Sequence, residues 1–174
     1  MRKYDGERAF TYEKTRVNNE AWQWQQVAVE SILHRYKPCH VLDAPVGTGR
    51  FFGVYREIGA DVIGIDVSRD MLDIARAKGF DYTLLVADLF EARWPNFVVS
   101  TRFFGHLTHR KKIKFLAKVR EYLLFSHGFD AYEYIAKENL EIIETHEMGD
   151  GRHCVSLVKR NGVIPTASHK QGQS

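Results

Sequence analysis

Cysteine is scarce in this sequence. Its two cysteines, Cys39 and Cys154, make no disulfide framework, and neither sits at metal-ligand spacing, so no metal site is expected. Both read as small buried hydrophobes. No apolar run approaches the ~20 residues of a membrane-spanning helix. The opening Met1-Arg-Lys-Tyr-Asp5 has no apolar signal core, so a cytoplasmic protein with no membrane partner is expected. A net charge of +3 is too weak to indicate a nucleic-acid partner. What remains is an ordinary globular composition, 44% hydrophobic and 27% charged, in 174 residues, the size of one domain with a real core.

The informative stretch runs from Cys39 to Phe52. Val41 and Leu42 read as a short buried strand that stops at an acid, Asp43. A tight turn with Gly47 and Gly49 follows, then the start of a helix. Glycines there permit positive φ and leave no side chain between backbone and ligand. A strand, glycine turn and helix in this order mark an open α/β nucleotide site, where ligands lie beyond the carboxyl ends of the strands. A dinucleotide fingerprint requires a third glycine, but Phe52 stands at that position and Gly53 comes one residue late. Asp43 at the strand end repels a pyrophosphate and favours an ammonium group.

Asn18 or Asn19 is positioned to cap a helix that runs to about Tyr36, where Pro38 stops it. Its apolar positions form a wide arc, with Trp22 and Trp24 reading either as core or as the lining of a pocket. Strands are expected over 61–66, 82–87 and 97–101, with a helix over 69–78 that Ser68 caps and Gly79 ends. Alternating strands and helices argue for a parallel sheet with right-handed crossovers. Asp43, Asp66 and Asp88 then each end a strand around one crevice. Thr108 is the candidate cap of a further helix whose buried stripe is Ile113, Leu116, Ala117, Leu123 and Leu124. The basic run His109–Lys114 reads as a solvated face; at a helix N-terminus it also hints at a visiting anion.

Asp43-Ala44-Pro45-Val46-Gly47-Thr48-Gly49 resembles the first motif of the class I S-adenosylmethionine-dependent methyltransferases, in the variant with Pro in place of the first glycine. Val62–Asp66 is similar to that family's second strand, 67–72 to the segment that packs on adenine, Leu84–Leu89 to the third strand and Phe97–Phe103 to the fourth. Tyr12 and Arg16 are similar to an N-terminal arm that holds the cofactor's carboxylate, and read equally as part of a surface salt bridge. The resemblance implies a Rossmann-like α/β fold and binding of S-adenosyl-L-methionine, with S-adenosyl-L-homocysteine as product. It implies contacts to the cofactor from Tyr12, Arg16, Asp43, Ala44, Pro45, Gly47 and Gly49. Asp66 would take the ribose hydroxyls and Asp88 the adenine amino group, with Val67, Met71, Leu89, Thr101 and Phe103 around them. His106, at the mouth of the fourth strand, is the candidate base, or else a structural hydrogen-bonding group.

Beyond Gly128 the sequence departs from the family pattern. Leu140–Glu147 and Arg152–Lys159 read as a terminal antiparallel hairpin with Asp150-Gly151 at its turn. The stretch before it is too short for a strand and a full helix, so the fifth strand is expected to be missing or merged with its neighbour. That loss would expose a sheet edge for a second subunit to cover. One domain is expected over 1–160, with 1–37 as an N-terminal cap arm and helix and 161–174 as a disordered tail. Neither Asn/Asp-Pro-Pro-Tyr nor Pro-Cys follows the fourth strand (the Pro38-Cys39 pair precedes the first), which argues against adenine, glutamine and cytosine-C5 methylation. A small-molecule acceptor is the favoured expectation. The alternatives are an enzyme that cleaves the cofactor without an acceptor, and a non-catalytic binding or partner protein on the same fold.

Overall fold

Alternation along the strands decides the architecture, because successive side chains point to opposite faces of a sheet. In the computed structural model, which describes residues 6–150 and 152–162, Val41, Val99 and Leu124 join one buried cluster. Their chain neighbours Leu42, Val98 and Leu123 join another. The strands are β1 (His40–Asp43), β2 (Asp61–Asp66), β3 (Thr83–Val86), β4 (Phe97–Ser100), β5 (Tyr122–His127), β6 (Leu140–Glu147) and β7 (Cys154–Arg160). They form one sheet in the order β3-β2-β1-β4-β5-β7-β6. The first five strands are parallel, and β7 runs antiparallel between β5 and β6.

Helices cover both faces. A short α1 (Glu7–Thr11) precedes α2 (Glu20–Tyr36), which packs on the first cluster with α3 (Phe52–Glu57) and α4 (Arg69–Ala77). The second cluster holds α5 (His109–Ala117), α6 (Ala131–Lys137) and the 3-10 turn Phe104–His106. Helix α2 starts where expected, with Asn19 Oδ1 accepting from Trp22 N at 2.9 Å, and ends on Lys37 in a left-handed conformation, φ 42°. In the second cluster Phe115 lies between the rings of Trp94, Phe103, Phe104 and Phe125, at centroid distances of 5.1 to 6.4 Å. This aromatic knot anchors the loop after β4.

The structure corrects the reading of the C-terminal half. A fifth strand is present: Tyr122–His127 pairs in parallel with β4, Phe97 opposite Tyr122 through Ser100 opposite Phe125. Leu123 and Leu124 belong to that strand and not to the preceding helix, which stops at Ala117. Helix α5 buries Phe115 and Leu116, while Ile113 is 37% exposed. A run such as Tyr-Leu-Leu-Phe suits a buried helix and a buried strand equally, and no Gly or Pro in 118–121 separates the two. The sheet edges are therefore β3 and β6, and the edge expected from a lost strand does not exist. Cys39 is exposed, against expectation, because it precedes the first paired residue; Cys154 is buried in β7. Among the described residues no helix is long and apolar enough to cross a membrane. Residues 1–5 of the cap arm, Gly151 of the hairpin turn and residues 163–174 of the tail lie outside the described residues.

Arg160 locks the hairpin onto this half. Its guanidinium donates to the carbonyls of Val119 at 3.0 Å, Leu116 at 2.7 Å and Glu138. These lie at or just past the ends of α5 and α6, where carbonyls lack helical partners and favour a cation. Arg160→Met is expected to lower stability by about 2–4 kcal/mol in urea unfolding, since three carbonyls lose a charged donor. Arg160→Lys should recover only a minor part, because an ammonium lacks the forked geometry.

Candidate functional site

The turn after β1 is built by close backbone approaches. Ala44 N donates to Val99 O at 2.9 Å and Val46 N to Ile65 O at 2.8 Å, so the turn is tied to the ends of both neighbouring strands. Gly47 and Gly49 have φ of 57° and 74°, the left-handed region that a side chain disfavours. At Gly49 a Cβ would also lie 2.3 Å from the Phe52 ring. The phenylalanine that displaces the third glycine of a dinucleotide motif thus packs directly against the second.

Asp66, at the end of β2, joins this turn to the next one. Its Oδ2 accepts from Gly47 N at 3.0 Å and its Oδ1 from Ser68 N at 2.9 Å. Ser68 caps α4 through Met71 N at 3.3 Å, which sets Met71 on the cavity wall. Beyond β3, Asp88 Oδ1 accepts from Phe90 N at 2.9 Å, and Trp94 Nε1 donates to Leu89 O at 3.0 Å. Both bonds fold the connection back along the opening. After β4, Arg102 adopts φ 55°, and its N–H donates to Ser126 Oγ at 2.7 Å.

These segments enclose a cavity of about 720 Å³ beyond the carboxyl ends of β1 to β4. Of the expected residues, Pro45, Gly47, Asp66, Val67 and Met71 line it. Asp88, Leu89, Thr101, Phe103, His106 and Tyr12 line it as well. Trp22 does too while staying buried, so both of its readings hold; Trp24 packs against the first core cluster. Arg16, Ala44, Gly49 and Asp43 are not lining residues. Arg16 stacks on the Tyr12 ring at 4.2 Å, and Ala44 is fully buried.

Asp43 is 2% exposed and accepts from Tyr55 Oη at 3.0 Å, so it does not present a carboxylate to the cavity. Burial pushes its carboxyl up to about 7, and nearby Asp66 adds to the rise, against the Tyr55 hydrogen bond and the Arg50 charge. Several lining residues were not expected as site residues, among them Thr48, Arg50, Phe90 and Arg102, whereas Lys111 belongs to the basic run that hinted at a visiting anion. Arg50 stacks on Trp22 at 3.6 Å and hydrogen-bonds Gln25, Gln26 and the Trp22 carbonyl, contacts between segments far apart in the chain.

The buried Asp43 gives a signed pH dependence. An unfolded Asp ionises near 3.9, so between about pH 4 and pH 7 the folded chain keeps a proton that the unfolded chain has lost. The stability linked to that proton is complete below about pH 4 and is lost as pH rises through about 7. Asp43→Asn keeps the shape and an acceptor for Tyr55. It is expected to match the parent near pH 4 and to exceed it at about pH 8, by at most about 4 kcal/mol, in urea titrations at the two pH values.

Comparisons with known proteins agree with this geometry. The model of a family described as a methyltransferase domain matches residues 41–124. No curated protein matches the sequence significantly. Magnesium protoporphyrin IX methyltransferase from Synechocystis PCC 6803, solved with bound S-adenosylmethionine, superposes with a TM-score of 0.67 at 17% identity, covering 82% of this chain and 84% of that one. An S-adenosylmethionine-dependent methyltransferase from Clostridium acetobutylicum ATCC 824 gives 0.68 at 12% identity, over 88% and 97%. A TehB-like S-adenosylmethionine-dependent methyltransferase from Corynebacterium glutamicum ATCC 13032 Kitasato gives 0.62 at 19%, over 84% and 99%. At such identities the superpositions speak for the fold, and the family match over β1 to β5 speaks for the domain. Residues 41–124 thus match a methyltransferase-domain family, and the described chain has the fold of the S-adenosylmethionine-dependent methyltransferases.

Proposed function

We propose that this protein is a methyltransferase that transfers a methyl group from S-adenosylmethionine to a small-molecule acceptor, with residues 1–160 working as one domain. The observation that carries this reading is the Asp66 carboxylate, held by the amides of Gly47 and Ser68 at the edge of a cavity of about 720 Å³. A carboxylate is a two-oxygen acceptor whose geometry suits a vicinal diol. The residues present fit the cofactor: Asp66 would hold its ribose, Asp88 its adenine amino group, and Val67, Met71 and Leu89 its adenine faces. The Gly47 turn would approach the methionine part. Tyr12, with Arg16 stacked on it, would stand near the carboxylate.

When bound, the cofactor supplies a methyl made electrophilic by a sulfonium. The chain's own work is then to position the acceptor and exclude water. His106 lines the cavity on the 3-10 turn after β4, where its imidazole would take the acceptor's proton. A cofactor-cleaving enzyme needs no acceptor pocket and would suit a trimmed C-terminal half. With β5, α6 and the hairpin all in place, that ground is gone. Incubation with methyl-labelled cofactor and no acceptor still tests it, since cleavage would release label.

Asp66→Asn keeps size but replaces one acceptor oxygen by a donor. It is expected to weaken S-adenosylhomocysteine binding about 10- to 100-fold in calorimetry, the loss of one or two charge-assisted hydrogen bonds. Undiminished affinity would refute the ribose assignment. In the parent, the same ligand at ~100 times its dissociation constant should stabilise the fold by about 2.7 kcal/mol in thermal unfolding.

A further inference from the structure

The wall of the cavity contributed by residues 101–111 and by α2 carries cations and aromatic rings but no carboxylate; Asp66 and Asp88 are the acids among the lining residues. Arg102 and Lys111 both face this space from exposed positions, Arg102 at 5.4 Å from the Trp22 ring centre and Lys111 at 5.7 Å from that of Phe90. Helix α5 treats its neighbouring lysines differently. Lys112 pairs with Asp130, whereas neither Lys111 nor Arg102 has an ion-pair partner among the described residues.

Arg102 is also placed at some expense to the backbone. A non-glycine residue at φ 55° persists only where its surroundings hold it, and the bond from its N–H to Ser126 Oγ does so. Arg50, by contrast, is committed, its guanidinium spread over Gln25, Gln26 and the Trp22 carbonyl. Burial, and then the like charge of Arg102, lower Arg50 to about 10. Two guanidiniums beside one tryptophan repel each other until an anion joins them. Cations without counter-ions on a partly enclosed wall concentrate anions there, and a guanidinium fork matches a carboxylate or a phosphate.

On the methyltransferase reading above, we propose that the methyl acceptor is a small anionic compound. Its carboxylate or phosphate is held by Arg102, with Lys111 adding to the field, and its body lies against Trp22 and Phe103 within reach of His106.

The test uses the full chain saturated with S-adenosylhomocysteine, titrated by ligand-observed NMR with 4-hydroxybenzoate, phenyl phosphate and the neutral 4-hydroxybenzamide. At least one anion is expected to bind about tenfold or more tightly than the amide, a preference that Arg102→Met removes and Lys111→Met reduces. Which anion wins tells carboxylate from phosphate. Affinity for S-adenosylhomocysteine should stay within about threefold in both variants, which also reports that they fold. Equal binding of the amide, or a preference that survives Arg102→Met, overturns the proposal. So does a large loss of S-adenosylhomocysteine affinity in Arg102→Met, which would assign that cation to the cofactor's own carboxylate. If the parent fails to bind S-adenosylhomocysteine at all, the methyltransferase reading falls, and this proposal with it.

Discussion

One carboxylate joins the two turns on which the site depends. Asp66 accepts from Gly47 N with one oxygen and from Ser68 N with the other. The turn after β1 and the cap of α4 therefore cannot move independently. Hydrogen bonds to an ionised acceptor are about twice as strong as neutral ones. Here they replace water as the solvation of a group that is 8% exposed. The positive φ of Gly47 is what brings its amide into range. Glycine and acid form one device built from residues 19 positions apart.

That device needs a fixed distance between strand ends, and the sheet supplies it. Parallel pairing of β1 with β2 and β4 aligns their carboxyl termini, and the hydrogen bonds Ala44 N to Val99 O and Val46 N to Ile65 O extend the alignment into the turn. Gly64 of β2 leaves room for Val46 and Leu84, where a Cβ would approach to 3.0 and 2.6 Å. On the other face, the rings around Phe115 hold the loop after β4, and so Arg102, Phe103 and His106. Both cores thus meet at one opening. The first positions the turns on the Asp66 side, and the second positions the wall where an acceptor would stand.

The charge pattern divides the cavity in the same way. Acids stand at the ends of β2 and β3, while Arg102 and Lys111 stand after β4 and on α5; Arg50, in the turn after β1, is tied to α2. Asp43, which the sequence places in the same row as Asp66 and Asp88, is withdrawn from the opening by Tyr55 and by burial. Its role is in the packing beneath the glycine turn. A strand-end acid can therefore be either a ligand group or a buried partner of a tyrosine, and the neighbouring helix decides which.

Local signals were enough for the first half of the fold. The strand, glycine turn and helix around Asp43–Gly49, the caps at Asn19 and Ser68, and the strand-end acids Asp66 and Asp88 are each set within a few residues of chain, so they are readable there. The terminal hairpin was legible for the same reason, since a turn dipeptide separates two strand-like runs. Tyr122–His127 was not, because an apolar run without punctuation has no preferred period and only pairing with β4 makes it a strand. Nor did the sequence reveal that Arg102 and Lys111 face one cavity with Trp22, or that Arg50 is spent on α2. Those facts depend on long-range packing, in which segments dozens of residues apart compete for the same few ångströms. No local pattern records who wins.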